Sequence, residues 1–254
     1  MIKLFAKGWR PLLVLVLFFI IWECISRYSQ IPKWLLPSPS IIFTEAITNY
    51  SLFLPDALAT SWLSFVGLII GSSFGILLAI ILHLIPSVKK MFYPFLILSQ
   101  NIPIIVLAPL LVIWFGFGYL PKMIILTLIC FFPVTIASLD GFKNVPNDLM
   151  HYMRMSGATT WQIFTKIEFP NALPPIFSGL KISATYSVMG AVISEWLGSE
   201  KGIGVYMTLS SSSFRTDRVF LAIFIIIILS LTFYLIIELI EKRMIKWMPK
   251  EGTK

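Results

Sequence analysis

Residues 219–239 read VFLAIFIIIILSLTFYLIIEL, with Glu238 the single formal charge. A helix needs about 20 predominantly apolar residues to cross the ~30 Å of hydrocarbon in a bilayer. A run of this length and purity reads as a membrane span. Working outward from Val219–Leu239, five more segments qualify: Ile176–Leu197, Pro121–Ala137, Met91–Phe115, Thr60–Leu84 and Pro11–Tyr28. Composition agrees. Of 254 residues 57% are hydrophobic and only 13% charged, about half the ~25% usual in soluble domains. Too little polar surface exists to face water all round. The expectation is an all-α, polytopic membrane protein with about six transmembrane helices.

The net charge of +8 does not point to nucleic acid, because the basic residues cluster between apolar runs and not along one face. With the N-terminus inside, Lys3, Lys7, Arg10, Lys89, Lys90, Lys143, Arg154, Lys166, Lys242, Arg243, Lys246, Lys250 and Lys254 fall on the cytoplasmic side. Only Arg27, Lys33, Lys122, Lys201, Arg215 and Arg218 fall outside, and Lys181 lies early in the fifth span. This asymmetry predicts that both termini are cytoplasmic. The first span has the layout of a signal peptide, yet Trp22-Glu23-Cys24 stands where a small-residue cleavage site would follow, so it reads as a retained anchor. Cys24 and Cys130 both sit inside apolar runs and read as buried thiols, with no disulfide framework or metal site.

Three connections are longer than a hairpin needs, and the internal one, 138–175, is the most informative. Pro146 suits a first helical turn, with Asn144 as a nearby cap. Leu149 and Met153 then lie four apart on one face, with Tyr152 beside them. Gly157 is placed to stop that helix in a left-handed conformation. A second short helix can begin at Thr159 or Thr160 and is expected to end before Pro170. The stretch carries only Arg154 and Lys166 against Asp148 and Glu168, unlike the basic face of a helix resting on lipid. It reads as a stiff helical elbow that docks into a partner's groove.

The same loop resembles the EAA loop of bacterial ATP-binding-cassette import permeases. There a Glu-Ala-Ala triplet is followed by Gly after three residues, then nine residues and Ile-x-Leu-Pro. Gly157, Ile167 and Pro170 match at that spacing and Phe169 replaces Leu, whereas His151, Tyr152 and Met153 replace the triplet. Ala108–Gly116 and Gly190–Gly198 look like the branch serving sulfonates, taurine, nitrate and pyrimidines. The resemblance implies a type I importer permease fold and ATPase docking through Leu149, Tyr152, Met153, Gly157, Ile167 and Pro170. It also implies a second permease copy, expected as a homodimer, two ATPase subunits that bind the ATP, and an external substrate-binding protein, all at the bacterial inner membrane. No cofactor or metal is expected in this chain. The expected organisation is an anchor helix and external loop over 1–59, a permease core over 60–240 and a basic cytoplasmic tail over 241–254.

Polar groups at membrane depth cost free energy and tend to face protein or a watery path. Gln100 and Asn101 stand before the kink-forming Pro103, with Ser99 beside them. Ser183, Ser187, Gly190 and Ser194 share one face of the fifth span, near Tyr186, and Glu195 lies in its outer third. Gln100, Asn101, Tyr186, Ser187 and Glu195 are the expected substrate path, although the serines serve equally well as helix–helix contacts. Glu23 is expected to pair locally and His83 to be solvated or capping at a cytoplasmic helix end. No G-x-x-x-x-G-K-[ST], H-E-x-x-H or nucleophile elbow occurs, so the chain is not expected to be an enzyme. A stand-alone secondary transporter would show paired repeats, and an intramembrane enzyme would show clustered acids or histidines; neither is present. The pyrimidine precursor of thiamine is the expected solute, with an aliphatic sulfonate or similar anion as the alternative and riboflavin behind.

Overall fold

The computed structural model describes residues 2–29 and 31–246, with side chains from Trp9 onward. Lys250, Lys254, most of the expected basic tail and the side chains of Lys3 and Lys7 lie outside the described residues. The elements are α1 (Ile2–Tyr28), α2 (Pro39–Thr48), α3 (Tyr50–Leu84), α4 (Pro86–Gln100), α5 (Ile104–Phe115), α6 (Tyr119–Lys143), α7 (Asn147–Met155), α8 (Thr160–Ile163), α9 (Phe169–Glu195), α10 (Ile203–Ser212) and α11 (Thr216–Met244). A π-helical turn, Phe164–Glu168, joins α8 to α9. Five helical stretches are long and apolar enough to cross a membrane, and α4 with α5 supplies a sixth as a bent pair.

Three expectations are corrected. The span expected over Met91–Phe115 is not continuous: α4 and α5 meet at 100° across Asn101-Ile102-Pro103. Pro103 has no N–H to donate into a helix, and Asn101 turns its amide back onto the Ile97 carbonyl, so three residues leave the helical ladder together. Pro170 does not end a helix. It sits in the first turn of α9, directly after the π-helical turn Phe164–Glu168, so the helical path continues past a residue that has no N–H to donate. Finally, α3 starts ten residues earlier than Thr60, so the boundary expected at residue 60 falls inside a helix.

The centre of the bundle is α6, packed between α3 and α9. Close approach is possible because small residues face it: a Cβ on Gly75 would stand 2.8 Å from the Phe131 carbonyl oxygen, and Gly67, Gly71, Gly179 and Gly190 are similarly closed. Small residues at such seams let membrane helices gain van der Waals contact where the hydrophobic effect offers no drive. Hydroxyls then bridge the backbones. Ser183 Oγ donates to the Cys130 carbonyl at 2.7 Å, and Thr135 Oγ1 to those of Phe131 and Gly75. The core continues towards the elbow through Leu82, Leu139, Phe142, Phe164 and Ile176. On the other side α11 packs on α9 and α10, and α2 on α11, where Arg218 donates to Glu45 at 2.8 Å.

In contrast, none of the span Trp9–Tyr28 in α1 is buried. Its attachments are an aromatic stack of Trp22 on Phe220 and Phe224 and a polar tie in which Glu23 accepts from the Ser40 N–H, the Ser40 hydroxyl and Arg27. Glu23 thus pairs locally, as expected. Cys24 is exposed on this helix, contrary to expectation, and only Cys130 is buried.

Candidate functional site: a helical elbow, a membrane cavity and an outer knot

The elbow is built by three local devices. Pro146, extended at ψ 132°, stands as N-cap of α7, and Asn144 instead ends α6. Gly157, at φ +74°, closes α7: its N–H donates to the Arg154 carbonyl and that of Ala158 to the Met153 carbonyl. This is the paired-hydrogen-bond stop that glycine favours at a helix end. Thr159 then opens α8 with a reciprocal capping box to Gln162. No residue of α7 is buried. Tyr152 is 67% exposed, Met155 89% and Trp161 61%, with Leu149 also exposed, so an apolar, aromatic-bearing surface is presented away from the bundle. Of the expected docking residues, Leu149 and Tyr152 are on that surface and Met153 is half-buried. Ile167 and Pro170, also half-buried, lie at the elbow's root. Met155 and Trp161, which the sequence did not single out, are exposed on the same elbow.

An open groove of about 650 Å³ lies in the crook of the α4–α5 bend, lined also by α6 and α9, with Gln100, Asp140 and Tyr186 exposed on it. Its lining includes Gln100, Ile104, Phe132, Pro133, Asp140, Ile182, Tyr186 and Met189. Of the five expected path residues, only Gln100 and Tyr186 line it. Asn101 is engaged with its own helix end. Ser187 is fully buried and donates to the Ala184 carbonyl, so that face of α9 is a packing seam against α6. Asp140, one charge on the lining, was not singled out, since it falls at the end of the fourth expected span.

Glu195 is 2% exposed and belongs to a different structure at the C-terminal end of α9. Its Oε2 accepts from the Gly204 N–H at 2.8 Å and its Oε1 from the Thr60 hydroxyl at 2.7 Å. Thr60 Oγ1 in turn accepts from the Ile203 N–H at 2.8 Å, and Asp56 from the Gly202 N–H at 2.9 Å. The first three N–H groups at the start of α10 are therefore all met by side chains of α3 and α9, with a carboxylate at the positive end of the helix. Gly202 holds φ +130° here, and a Cβ on it would run into the Glu195 carboxyl.

At the opposite end of α9, Glu168 is bonded to His83 at 2.8 Å, a pair separated by 85 residues in sequence. His83 was expected to be solvated or capping; its side chain instead pairs with Glu168 and is flanked by Phe142 and Phe164 at ring distances of 5.0 and 6.0 Å.

Among the described residues no cluster of three or more metal-ligating side chains occurs. The arrangement offers an exposed helical elbow, a groove at a helix break and a locked far end of α9. Over 243 residues, 95% of this chain and 97% of the relative, the sequence is 34% identical to the formylaminopyrimidine transport permease protein of Halalkalibacterium halodurans. It is 26% identical, over 92% of this chain and 87% of the relative, to the taurine transport system permease protein of Escherichia coli. The fold matches a crystal structure of an amino acid ABC transporter with TM-score 0.67 at 18% identity, covering 79% of this chain and 98% of that one. The profile described as binding-protein-dependent transport system inner membrane component matches residues 71–246, so the chain belongs to that family and is the multi-pass membrane permease subunit of an ABC importer, not itself an enzyme.

Proposed function

We propose that this permease carries a neutral or weakly basic nitrogen heterocycle, with the pyrimidine precursor of thiamine as its solute. The observation that carries the reading is the groove lining. It offers the Gln100 amide, the Tyr186 phenol and the Asp140 carboxylate, and no Lys or Arg. An amide and a phenol can donate to and accept from an aminopyrimidine, and an aromatic ring can stack on it. A sulfonate or nitrate would call for cationic or convergent N–H donors, and no cation lines the groove; Lys143, 4.0 Å from Asp140, lies outside it. The 34% identity to a formylaminopyrimidine permease supports the same solute.

On this reading the exposed face of α7 and α8 seats an ATPase subunit, which binds the ATP, through Leu149, Tyr152 and Met153. Gly157, Ile167 and Pro170 hold the elbow's shape. Two copies of the chain form the permease, both termini are cytoplasmic, and an external binding protein delivers the solute. The test is growth and labelled uptake in a strain lacking thiamine-pyrimidine synthesis, with and without this permease. Rescue by hydroxymethylpyrimidine only when the permease is present is the expected result. Loss of growth on a sulfonate as sole sulfur source, with pyrimidine rescue intact, would refute the substrate.

A further inference from the structure

The cytoplasmic elbow is joined to the bundle by the chain at both ends, to α6 through residues 144–146 and to α9 through the turn after α8, and to α3 only through side chains. From α8 the chain passes through the turn Phe164–Glu168, in which the Phe169 N–H donates to the Phe164 carbonyl, five residues back. An α-helix turns about 100° per residue, so one residue inserted into the ladder re-phases everything after it. Phe164 and Glu168 are both buried by this turn. Glu168 then lies 2.8 Å from His83 Nε2 in the last turn of α3, with side chains 11% and 16% exposed. The rings of Phe142 and Phe164 flank the histidine, and Leu82 packs in the same cluster. A polar pair in such surroundings is sensitive to geometry, because leaving either partner alone is costly. An aliphatic pair would fill the space as stably. What the polar pair adds is a fixed register between two elements that no nearby peptide bond connects.

We propose that His83 and Glu168 are positioning residues that oblige α3 to move with the elbow. A displacement imposed on α7 and α8 then enters the bundle through α6 and α9 by chain continuity and through α3 by the pair. The proposal rests on the reading of α7 and α8 as the ATPase docking surface.

Spin labels report it directly in the complex reconstituted with its ATPase. One pair joins Lys166 to Ser73 on α3, and a second joins Lys166 to Ser178 on α9; all three positions are exposed. In the otherwise unaltered protein both distances hold between the nucleotide-free and ATP-trapped states. In the double variant His83→Leu with Glu168→Leu, the Lys166–Ser178 distance still holds, while the Lys166–Ser73 distance shifts or broadens with ATP. Solute uptake per ATP hydrolysed falls about tenfold, equivalent to about 1.4 kcal/mol of lost coupling. The reversed pair, His83→Glu with Glu168→His, restores both readouts. A Lys166–Ser73 distance that already changes with ATP in the parent overturns the proposal, whether or not the double variant folds. So does a double variant that assembles with both distances and uptake per ATP unchanged. An ATPase that does not co-purify with the parent chain refutes the docking reading itself and takes this proposal with it.

Discussion

Replacing Glu195 by leucine removes the acceptor at the start of α10 while keeping an apolar side chain of similar reach. The Gly204 N–H, now 2.8 Å from Oε2, is left without a partner inside the protein, which costs about 1–3 kcal/mol. Loss of the carboxylate from the positive helix end adds about 0.3–1 kcal/mol. The Thr60 hydroxyl suffers little, because the Asp56 carbonyl lies within reach at 3.1 Å. The expected destabilisation is therefore about 1.3–4 kcal/mol, or a fall of about 3–16 °C in Tm at the 2–4 °C per kcal/mol typical of chains of this size. Glutamine is the control. Its carbonyl can still accept from Gly204 and its amide can donate to Thr60 Oγ1, so Glu195→Gln loses only the charge and costs about 1 kcal/mol or less. Thermal scans of the detergent-purified chain by fluorescence-detected size exclusion measure both. If leucine costs no more than glutamine, the knot is not what holds the C-terminal end of α9.

The substitution Gly157→Val forces a β-branched residue into the left-handed region at φ +74°, a cost of at least about 1–2 kcal/mol. No atom lies within 4 Å of the added Cβ, so the effect is on backbone geometry alone. The chain should insert normally and ATPase co-purification should fall; normal assembly and transport would remove the elbow from the docking surface. Topology is checked with single cysteines at Lys201 and Lys246 in a cysteine-free background. Only position 201 should react with an impermeant reagent in sealed cells, and labelling of both would refute the expected sidedness.

Local chemistry made much of this molecule readable in advance. The apolar runs located every span, because the bilayer imposes length and polarity on a helix independently of its neighbours. The elbow's stop at Gly157 and restart at Thr159 were likewise written in residues that act on their own backbone. Two kinds of feature were not legible. The break at Asn101-Ile102-Pro103 is diluted in any hydropathy average by the flanking leucines and isoleucines, and a proline signals a kink without fixing its angle. The ties of Glu195 to Thr60 and of Glu168 to His83 join residues 135 and 85 positions apart, and a single sequence carries no record of which distant partner a buried acid will meet. The serine face of α9 shows the same limit: periodicity located the face, but only packing could assign it to the seam with α6 and not to the groove.

The sparse attachment of α1 bears on how the chain is made. Membrane helices insert singly and associate afterwards. The rings that receive Trp22, Phe220 and Phe224, are on α11, the last span in chain order. Trp22 on α1 therefore meets its aromatic neighbours only after the spans between α1 and α11 have been made. Until then α1 stands in lipid as an independent helix, held near the growing bundle by the short link through α2. Truncation ahead of Phe220 would remove the aromatic half of its attachment and leave the polar tie of Glu23 to Ser40.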